Sequence, residues 1–190
     1  LCIAILGPTA SGKTSFAIEL GKRLDGEIVC LDSTTVYRGF DIGTSKPTRQ
    51  EQAMVPHHLV DILDPSEPFS AGHFVELADD TIEEIISRGK FPIVVGGTYF
   101  YMRALQHGMY PTPAIPTEVI ETIEREFFED EMLNTRKLRD ALRANDPQSA
   151  DVIHPNDRYR LVRALAVFRT TGQRMSELKA VPRNEKQLSR

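Results

Sequence analysis

Gly7-Pro8-Thr9-Ala10-Ser11-Gly12-Lys13-Thr14 is the stretch that decides the fold, because it matches the phosphate-binding pattern G-x-x-x-x-G-K-[ST]. The apolar run that precedes it, residues 1–6, predicts a buried strand. The residues that follow it, 15–24, place apolar side chains at helical spacing. A strand, a glycine-containing loop and a helix form the context in which this pattern binds phosphate.

The chemistry expected of this loop follows from its backbone and its two last side chains. Gly7 and Gly12 are expected to let the chain curl so that successive N–H groups point at one anion. The N-terminus of the next helix adds a partial positive charge, and Lys13 adds a full one. The Thr14 hydroxyl is placed to bind Mg²⁺. We therefore predict that residues 7–14 bind a diphosphate or a nucleotide, without fixing which one.

Size and charge indicate one globular core with room for a small appendage. The 190 residues have a net charge of −4, so a nucleic-acid partner would have to meet a local basic patch. Cys2 and Cys30 lie in apolar runs and are expected to be reduced core residues of a cytoplasmic protein. No apolar run reaches membrane-spanning length. Because the chain starts at Leu1 rather than at Met, a fragment is one interpretation.

Two further strands are predicted to end in polar residues at the same edge of a parallel sheet. Residues 27–31 read as a buried strand followed by Asp32-Ser33-Thr34-Thr35, and residues 91–95 as one followed by Gly96-Gly97-Thr98. The carboxyl ends of the strands form the ligand crevice of an open α/β sheet. Asp32 is therefore expected beside the phosphate loop, as a Mg²⁺ ligand or a general base, with a helix N-cap as the alternative.

The segments around these strands carry weaker signals. Thr98 is a candidate hydrogen-bond donor to a leaving phosphate oxygen, with a plain glycine turn as the alternative. Residues 36–47 read as a functional loop that directs Arg38 and Lys46 toward phosphates, or else as a solvated loop. Residues 59–63 look like a strand. The adjacent His57 and His58 do not share a face, which favours a structural or loop role over a metal pair.

The prolines within residues 108–116 indicate where the chain leaves the sheet. We interpret residues 112–154 as a small helical insertion and assign residues 1–111 and 155–190 to the phosphate-loop core. A helix is predicted over residues 158–171, and its Arg160 and Arg163 suit bidentate phosphate contacts or form a solvated basic face. The predicted fold is α/β, a P-loop NTPase-like parallel sheet with helices on both faces and a small helical insertion.

Several stretches together resemble one family, the tRNA dimethylallyltransferases, also called tRNA isopentenyltransferases. They cover nearly the whole chain and are, in order, residues 7–14, 32–39, 41–47, Pro56-His57-His58, Gly96-Gly97-Thr98 and 154–165. The resemblance implies transfer of a dimethylallyl group from dimethylallyl diphosphate to the exocyclic amine of the adenosine 3′-adjacent to the tRNA anticodon. The phosphate loop would then hold a prenyl diphosphate rather than ATP.

The resemblance also implies roles for individual residues. Asp32 would be the general base on the adenine amine, and Thr98 would contact the substrate and the bridging oxygen of the diphosphate. Lys13 and Thr14 would hold the diphosphate and Mg²⁺. The residues expected to contact tRNA are Asp32, Ser33, Thr34, Thr35, Thr98, Tyr159, Arg160, Leu161, Val162 and Arg163. The helical insertion would grip the anticodon arm, and the protein is expected to be a monomer. Thr35 stands where the family often has Gln.

Three other functions remain open. An adenylate isopentenyltransferase acts on a free nucleotide, which needs neither a helical insertion nor Arg160 and Arg163. A small-molecule P-loop kinase would need a pocket for the ATP base and an arginine-bearing lid. A non-catalytic RNA-binding protein would not need Asp32, Thr98 and Lys13. These features favour the tRNA-modifying enzyme.

Overall fold

A computed structural model describes residues 1–109, 113–128 and 135–180 of the chain. These residues fall into two compact units. The first, the sheet unit, comprises residues 1–109, and the second, the helical unit, comprises the described residues from 113 to 180. Within the described ranges, no helix is long and apolar enough to cross a membrane.

A parallel four-stranded sheet organises the sheet unit. Its strands are β1 (Ile3–Leu6), β2 (Gly26–Leu31), β3 (His57–His58) and β4 (Phe91–Gly96), and they lie in the order β1-β4-β2-β3. Leu6 lies opposite Gly96, which lies opposite Leu31, so the three longer strands end at the same level. The predicted parallel sheet is confirmed, and the segments that follow β1, β2 and β4 start from one edge of it.

Helices cover both faces of the sheet, as predicted. On one face, α1 (Lys13–Leu24) buries Ala17 and Ile18 against Ile28 and Cys30 of β2. The short α2 (Arg49–Met54) follows, with Thr48 and Glu51 forming a capping box. On the other face, α3 (Ala71–Ser87) and α4 (Tyr99–His107) pack against Val29 and Leu31. Successive β2 residues thus enter opposite cores, as the pleat of a strand requires.

The first strand is less buried than its apolar sequence predicts. Ala4 and Leu6 are exposed, and Leu6 keeps 42% of its surface accessible. In the described part of the chain β1 pairs with β4 alone, so it is an edge strand with one open side. An apolar run predicts burial but cannot tell a central strand from an edge strand.

The strand predicted over residues 59–63 is wrong. β3 ends at His58, and the next residues turn, with Leu59 at φ 60° and Asp61 at φ 55°, in the left-handed region. The N–H groups of Ile62 and Leu63 both donate to the carbonyl of Val36, at 2.8 and 3.0 Å. The apolar side chains of this segment therefore reach the interior through a turn that a periodic pattern does not reveal.

Five helices form the helical unit: α5 (Thr117–Phe128), α6 (Thr135–Asn145), α7 (Pro147–Val152), α8 (Arg158–Thr171) and α9 (Met175–Ala180). Their shared core includes Ile123, Leu138, Leu142, Leu161 and Leu165. Asp157 begins α8 as its N-cap, because its side chain accepts a hydrogen bond from the Arg160 N–H at 3.1 Å.

The predicted unit boundary is wrong on its C-terminal side. We assigned residues from 155 onward to the phosphate-loop core, but α8 and α9 share a core with α5, α6 and α7. The reason is visible in α8, whose buried residues surround most of its circumference: Leu161, Val162, Ala164, Leu165, Ala166 and Val167. Such a helix needs neighbours on several sides. Residues 110–112, 129–134 and 181–190 lie outside the described part.

Candidate active site

The phosphate loop connects β1 to α1 and curls through two left-handed residues. These are Ala10 at φ 62° and Gly12 at φ 82°. We expected the curl at Gly7 and Gly12, so Ala10 takes the place of Gly7. At Gly7 the constraint is space, because a Cβ there would lie 3.1 Å from Oγ of Ser11. Gly12 is also the N-cap of α1 and offers no side-chain cap, which leaves the first N–H groups of that helix for an anion.

Lys13 lies over the loop that it follows. Its Nζ donates a hydrogen bond to the carbonyl of Pro8 at 2.5 Å. This bond spans the two ends of the predicted phosphate-binding stretch and brings the ammonium charge to the loop backbone. The position agrees with the predicted role of Lys13 in holding a diphosphate, because backbone N–H groups and a full positive charge converge there.

A cavity of about 360 Å³ opens beside the loop. Residues 9–15 form one wall. The segment after β2 contributes Asp32, Thr35, Thr44, Ser45 and Pro47, β3 contributes His57, and the end of β4 contributes Gly96 and Gly97. Ala17, Ile28, Cys30 and Val95 give it an apolar floor. The cavity therefore combines an anion-binding wall with apolar surface, which suits a phosphorylated ligand with an apolar part.

Asp32 stands where the carboxyl end of β2 was predicted to place it. Its Oδ1 accepts hydrogen bonds from the Thr34 N–H at 2.8 Å, the Thr34 hydroxyl at 2.6 Å and the Thr35 N–H at 3.3 Å. The carboxylate therefore stabilises a turn rather than a helix N-terminus, and Oδ2 takes part in none of the three bonds. Its position on the cavity wall beside the phosphate loop is confirmed.

The two adjacent histidines have different environments. His58 Nε2 lies 2.6 Å from Oε2 of Glu27, which also receives a hydrogen bond from Arg88 at 2.8 Å. Burial acts to raise the pKa of the Glu27 carboxyl, but these two partners outweigh it and the pKa is lowered. His57 donates from Nδ1 to the carbonyl of Val55 at 2.7 Å and lines the cavity. The structural role that we favoured fits His58, whereas sequence reasoning missed the position of His57.

Two side chains on the cavity wall hold buried polar atoms without a hydrogen-bond partner among the described residues. They are Oγ1 of Thr35, which is 4% exposed, and Nε2 of His57. Burial lowers the pKa of His57, which favours the neutral ring. Because Nδ1 carries the proton that bonds Val55, Nε2 of the neutral ring is an acceptor. The floor of the cavity is less polar than this wall. Cys30 lies in that floor, and burial raises the pKa of its thiol to about 12.

Thr98 follows the two glycines at the end of β4 and is the N-cap residue of α4. Its side chain makes no cap hydrogen bond, and the residue is half-buried. Gly96 and Gly97 line the cavity, whereas Thr98 is outside its lining. The predicted contact of the Thr98 hydroxyl with a diphosphate oxygen stays a prediction.

The two cations predicted to reach phosphates from residues 36–47 have different surroundings. Nζ of Lys46 bonds Oδ1 of Asp61 at 2.5 Å and Oδ1 of Asp41 at 2.8 Å. Nη2 of Arg38 donates to the carbonyl of Ile62 at 2.9 Å. Oxygens of the same unit therefore occupy Lys46, whereas Arg38 is exposed and its contact with a phosphate stays a prediction.

The residues of α8 predicted to contact tRNA divide into two groups. Leu161 and Val162 are 0% and 5% exposed and belong to the core of the helical unit, and their predicted place in a tRNA-contacting stretch stays a prediction. Tyr159 is 78% exposed. Arg160 pairs with Asp157, and Nη2 of Arg163 donates to the carbonyl of Pro113 at 3.4 Å. The exposed members of this stretch remain predicted RNA contacts.

Oxygen ligands for Mg²⁺ are present in the cavity wall. Thr14 offers a hydroxyl and Asp32 a carboxylate, and both line the cavity. Among residues 1–109, 113–128 and 135–180, no cluster of three or more His, Cys, Asp or Glu side chains could hold a metal ion. This donor set fits Mg²⁺, which commonly takes one or two protein oxygens and completes its shell with phosphate oxygens and water.

Comparison with protein families gives two matches. The model of the IPP transferase family matches residues 35–189, and a model described as isopentenyl transferase matches residues 2–59. The first match covers well over half of the chain and takes in the sheet unit from residue 35 onward together with the helical unit. The second covers the phosphate loop and the turn that follows β2.

Curated relatives of this chain are bacterial proteins named tRNA dimethylallyltransferase. The protein of Hydrogenovibrio crunogenus is 45% identical over 178 residues, which are 94% of this chain and 54% of that relative. The protein of Methylococcus capsulatus is 48% identical over 176 residues, which are 93% of this chain and 55% of that relative. The chain thus spans about half the length of the curated relatives it matches.

Solved structures give the same picture. A full-length tRNA isopentenylpyrophosphate transferase from Bacillus halodurans is 43% identical, with a TM-score of 0.57 over 90% of this chain and 56% of its own. A eukaryotic dimethylallyltransferase acting on tRNA is 32% identical, with a TM-score of 0.78 over 95% of this chain and 44% of its own.

Proposed function

We propose, because the chain belongs to the IPP transferase family, that the protein transfers a dimethylallyl group from dimethylallyl diphosphate to an adenosine of tRNA. The acceptor would be the exocyclic amine of the adenosine 3′-adjacent to the anticodon. One observation supports this most directly: a single cavity brings together the phosphate loop and the Asp32 carboxylate. The names of the relatives, tRNA dimethylallyltransferase, point to the same reaction.

The phosphate loop would bind the diphosphate of the donor. Lys13 and the N-terminus of α1 would offset its negative charge, which grows as the diphosphate leaves. The apolar floor of Ala17, Ile28, Cys30 and Val95 gives the cavity surface for uncharged parts of its substrates. Thr98, directly after the two glycines of the wall, would contact the bridging oxygen.

Asp32 would accept the proton of the amine. In the transfer, the amine nitrogen bonds to C1 of the dimethylallyl group, and the bond from C1 to the diphosphate oxygen breaks with its electron pair leaving on the diphosphate. The nitrogen then loses one proton, and a carboxylate in reach can take it. Because Oδ1 of Asp32 is held by three hydrogen bonds, the turn of residues 32–35 fixes the position of this base.

Thr14 would hold Mg²⁺ in such a complex through its hydroxyl, which lines the cavity beside the phosphate loop. A bound Mg²⁺ supplies positive charge that stabilises a diphosphate leaving group. The carboxylate of Asp32 would then stay available as the base.

The target adenosine would have to leave its stacked position to reach the cavity. Bases of single-stranded loops are the ones that proteins can unstack and bind individually. Ser33, Thr34 and Thr35 adjoin Asp32 and would contact this base, while Tyr159, Arg160 and Arg163 of the helical unit would contact the anticodon stem-loop. We expect the enzyme to act as a monomer in the cytoplasm, where tRNA is modified.

Prenyl transfer from radiolabelled dimethylallyl diphosphate tests the proposal. The full chain would be offered an anticodon stem-loop RNA and, separately, AMP. Label in the RNA alone is the expected result. Label in AMP would indicate the adenylate type of isopentenyltransferase, and label in neither from a folded protein would contradict the proposal.

A further inference from the structure

Lys46 is a buried cation whose three hydrogen bonds join three segments of the sheet unit. Its side chain is 5% exposed. Nζ donates to Oδ1 of Asp61 at 2.5 Å, to Oδ1 of Asp41 at 2.8 Å and to the carbonyl of Tyr37 at 2.8 Å. An ammonium group has three N–H donors, so all of them are used. Burial acts to lower the pKa of Lys46, but Asp41 and Asp61 outweigh it and the pKa is raised, which keeps the charge.

The partners of Lys46 lie on either side of the segment that forms the cavity wall. Tyr37 belongs to the turn that follows β2, where the Arg38 N–H donates to the carbonyl of Leu63 at 2.9 Å. Asp61 belongs to the turn that follows β3, and Asp41 to the loop between them. Lys46 therefore bonds residues on both sides of it in the sequence, at distances of up to 15 positions.

The residues on both sides of Lys46 line the ligand cavity. They are Thr44, Ser45 and Pro47. Ser45 has φ 54°, a left-handed conformation that is unfavourable for a residue with a side chain and persists only where its surroundings hold it. The Thr44 hydroxyl donates to the carbonyl of Phe40 at 2.6 Å, and Gln52 donates to the carbonyl of Pro47 at 2.8 Å. Lys46 contributes the charged hydrogen bonds among those that restrain residues 44–47.

We propose that Lys46 is a positioning residue, which holds residues 44–47 in the conformation that completes the diphosphate side of the cavity. The inference rests on the proposed binding of a diphosphate. Lys46 touches no ligand itself, because its three donors are occupied by Asp41, Asp61 and Tyr37. It acts in two ways: it restrains Ser45, and it balances two carboxylates that would otherwise repel an anionic ligand beside the cavity.

Substitution of Lys46 in the full chain tests this. Lys46→Met removes the charge and keeps the length of the side chain. Lys46→Met with Asp61→Asn also removes the carboxylate that would be left half-buried without a cation, and so restores stability without restoring the link. Lys90→Met is the matched control, because Lys90 pairs with Asp25 at 2.6 Å and lies outside the cavity lining.

Three measurements separate positioning from stability: the Kd for inorganic pyrophosphate by calorimetry, KM and kcat for dimethylallyl diphosphate, and the free energy of unfolding in urea. We expect Lys46→Met to weaken pyrophosphate binding and to raise KM by about tenfold or more, with kcat changed by less than about threefold. The double variant should recover the stability but not the binding. Lys90→Met should change neither Kd nor KM.

Several results would overturn the inference. They are unchanged pyrophosphate binding in a folded Lys46 variant, recovery of binding together with stability in the double variant, and no pyrophosphate binding by the unsubstituted protein. If Lys46→Met does not fold, the double variant carries the same binding measurement. Binding that depends on Lys46 in a protein that transfers no prenyl group to RNA would contradict the proposed function and leave the inference standing.

Discussion

Lys46 in the sheet unit and Asp146 in the helical unit are both buried ions with three hydrogen bonds, but their partners differ. Lys46 bonds two carboxylates and a carbonyl. Asp146, which is 0% exposed, bonds neutral groups at the start of two helices: the Ser149 N–H at 3.0 Å, the Ser176 N–H at 3.0 Å and the Ser176 hydroxyl at 2.7 Å.

The difference lies in what each ion holds in place. Asp146 is the N-cap of α7 and satisfies an N–H group in the first turn of α9, so it stabilises packing inside a helical core. Lys46 holds a loop whose neighbouring residues line a cavity. Loss of either ion is therefore expected to reduce stability, whereas only loss of Lys46 is expected to reduce ligand binding as well.

Substitution of Asp32 is expected to have the largest effect, and this effect is on the rate of prenyl transfer. Like the two buried ions, it distinguishes residues that serve the cavity from residues that only stabilise the fold. Asp32→Asn keeps an oxygen that can accept the bonds of the turn but removes the base, so we expect transfer to fall by about 10²- to 10⁴-fold. Pyrophosphate binding should change little, because the phosphate loop is intact. Single-turnover prenyl transfer and calorimetry measure the two quantities.

The chain offers a matched control for this substitution. Asp64 stabilises a similar turn, since its Oδ1 accepts hydrogen bonds from the Ser66 N–H at 3.2 Å and the Ser66 hydroxyl at 2.9 Å, but it lies outside the cavity lining. Asp64→Asn should leave transfer unchanged. Equal loss of activity in both variants would show that the turn geometry matters and not the proton acceptor.

Asp146→Asn is expected to have the next largest effect, and on stability. An amide can replace one carboxylate oxygen as acceptor, but its NH₂ group then faces an N–H or hydroxyl donor that loses its partner. We expect a loss of about 2–3 kcal/mol in the free energy of unfolding, measured in urea. The Kd for pyrophosphate should not change. A higher Kd in a stably folded variant would contradict the distinction between the two ions, because Asp146 would then affect ligand binding as well.

The same carboxylate predicts a smaller, pH-dependent effect. Burial acts to raise the pKa of Asp146, but hydrogen bonds from Ser149 and Ser176 outweigh it and the pKa is lowered. A carboxyl group with a lowered pKa in the folded state stabilises the protein above its ordinary value of 3.8, and this contribution is lost as the pH falls toward the folded pKa. The stability difference between the unsubstituted protein and Asp146→Asn should therefore shrink below pH 3.8, as urea unfolding at pH 7, 5 and 3 would show. A difference that stays constant with pH would rule out this linkage.

Arg169→Gln is expected to have the smallest effect. Arg169 of α8 forms two hydrogen bonds to Glu126 of α5, at 2.6 and 3.1 Å, but the two side chains keep 33% and 46% of their surface exposed. An exposed pair of this kind contributes about 0–1 kcal/mol, and added salt screens it. Urea unfolding at low and high salt should show a small loss for the variant that nearly disappears at high salt. A loss above about 2 kcal/mol would place this pair with the buried ions.

The parts of the fold that local patterns determine could be predicted from the sequence. The strand, loop and helix around residues 7–14 depend on neighbouring residues alone, as does α3 with its apolar stripe. The position of Asp32 followed from a topological rule, because strands of a parallel sheet end at one edge. The family was also identified correctly from its motifs.

Features that depend on distant residues could not be predicted. The spacing of Asp41, Lys46 and Asp61 gives no sign that their side chains meet, since the turns that follow β2 and β3 bring them together. The apolar residues of α8 indicate a helix but not which core receives it. Ala10 adopts the left-handed conformation expected of Gly7, because the whole loop sets the backbone path and its residue types do so only in part.

Gly96 has a consequence for the mutational tolerance of the protein. A Cβ at this position would lie 1.9 Å from the carbonyl oxygen of Leu31, which belongs to the backbone of β2 and cannot rotate away. Any side chain, even that of alanine, would push β2 and β4 apart just where Asp32 and Gly97 leave the sheet. In a library of all single substitutions, position 96 should therefore accept glycine alone, and directed evolution of this cavity has to work around it.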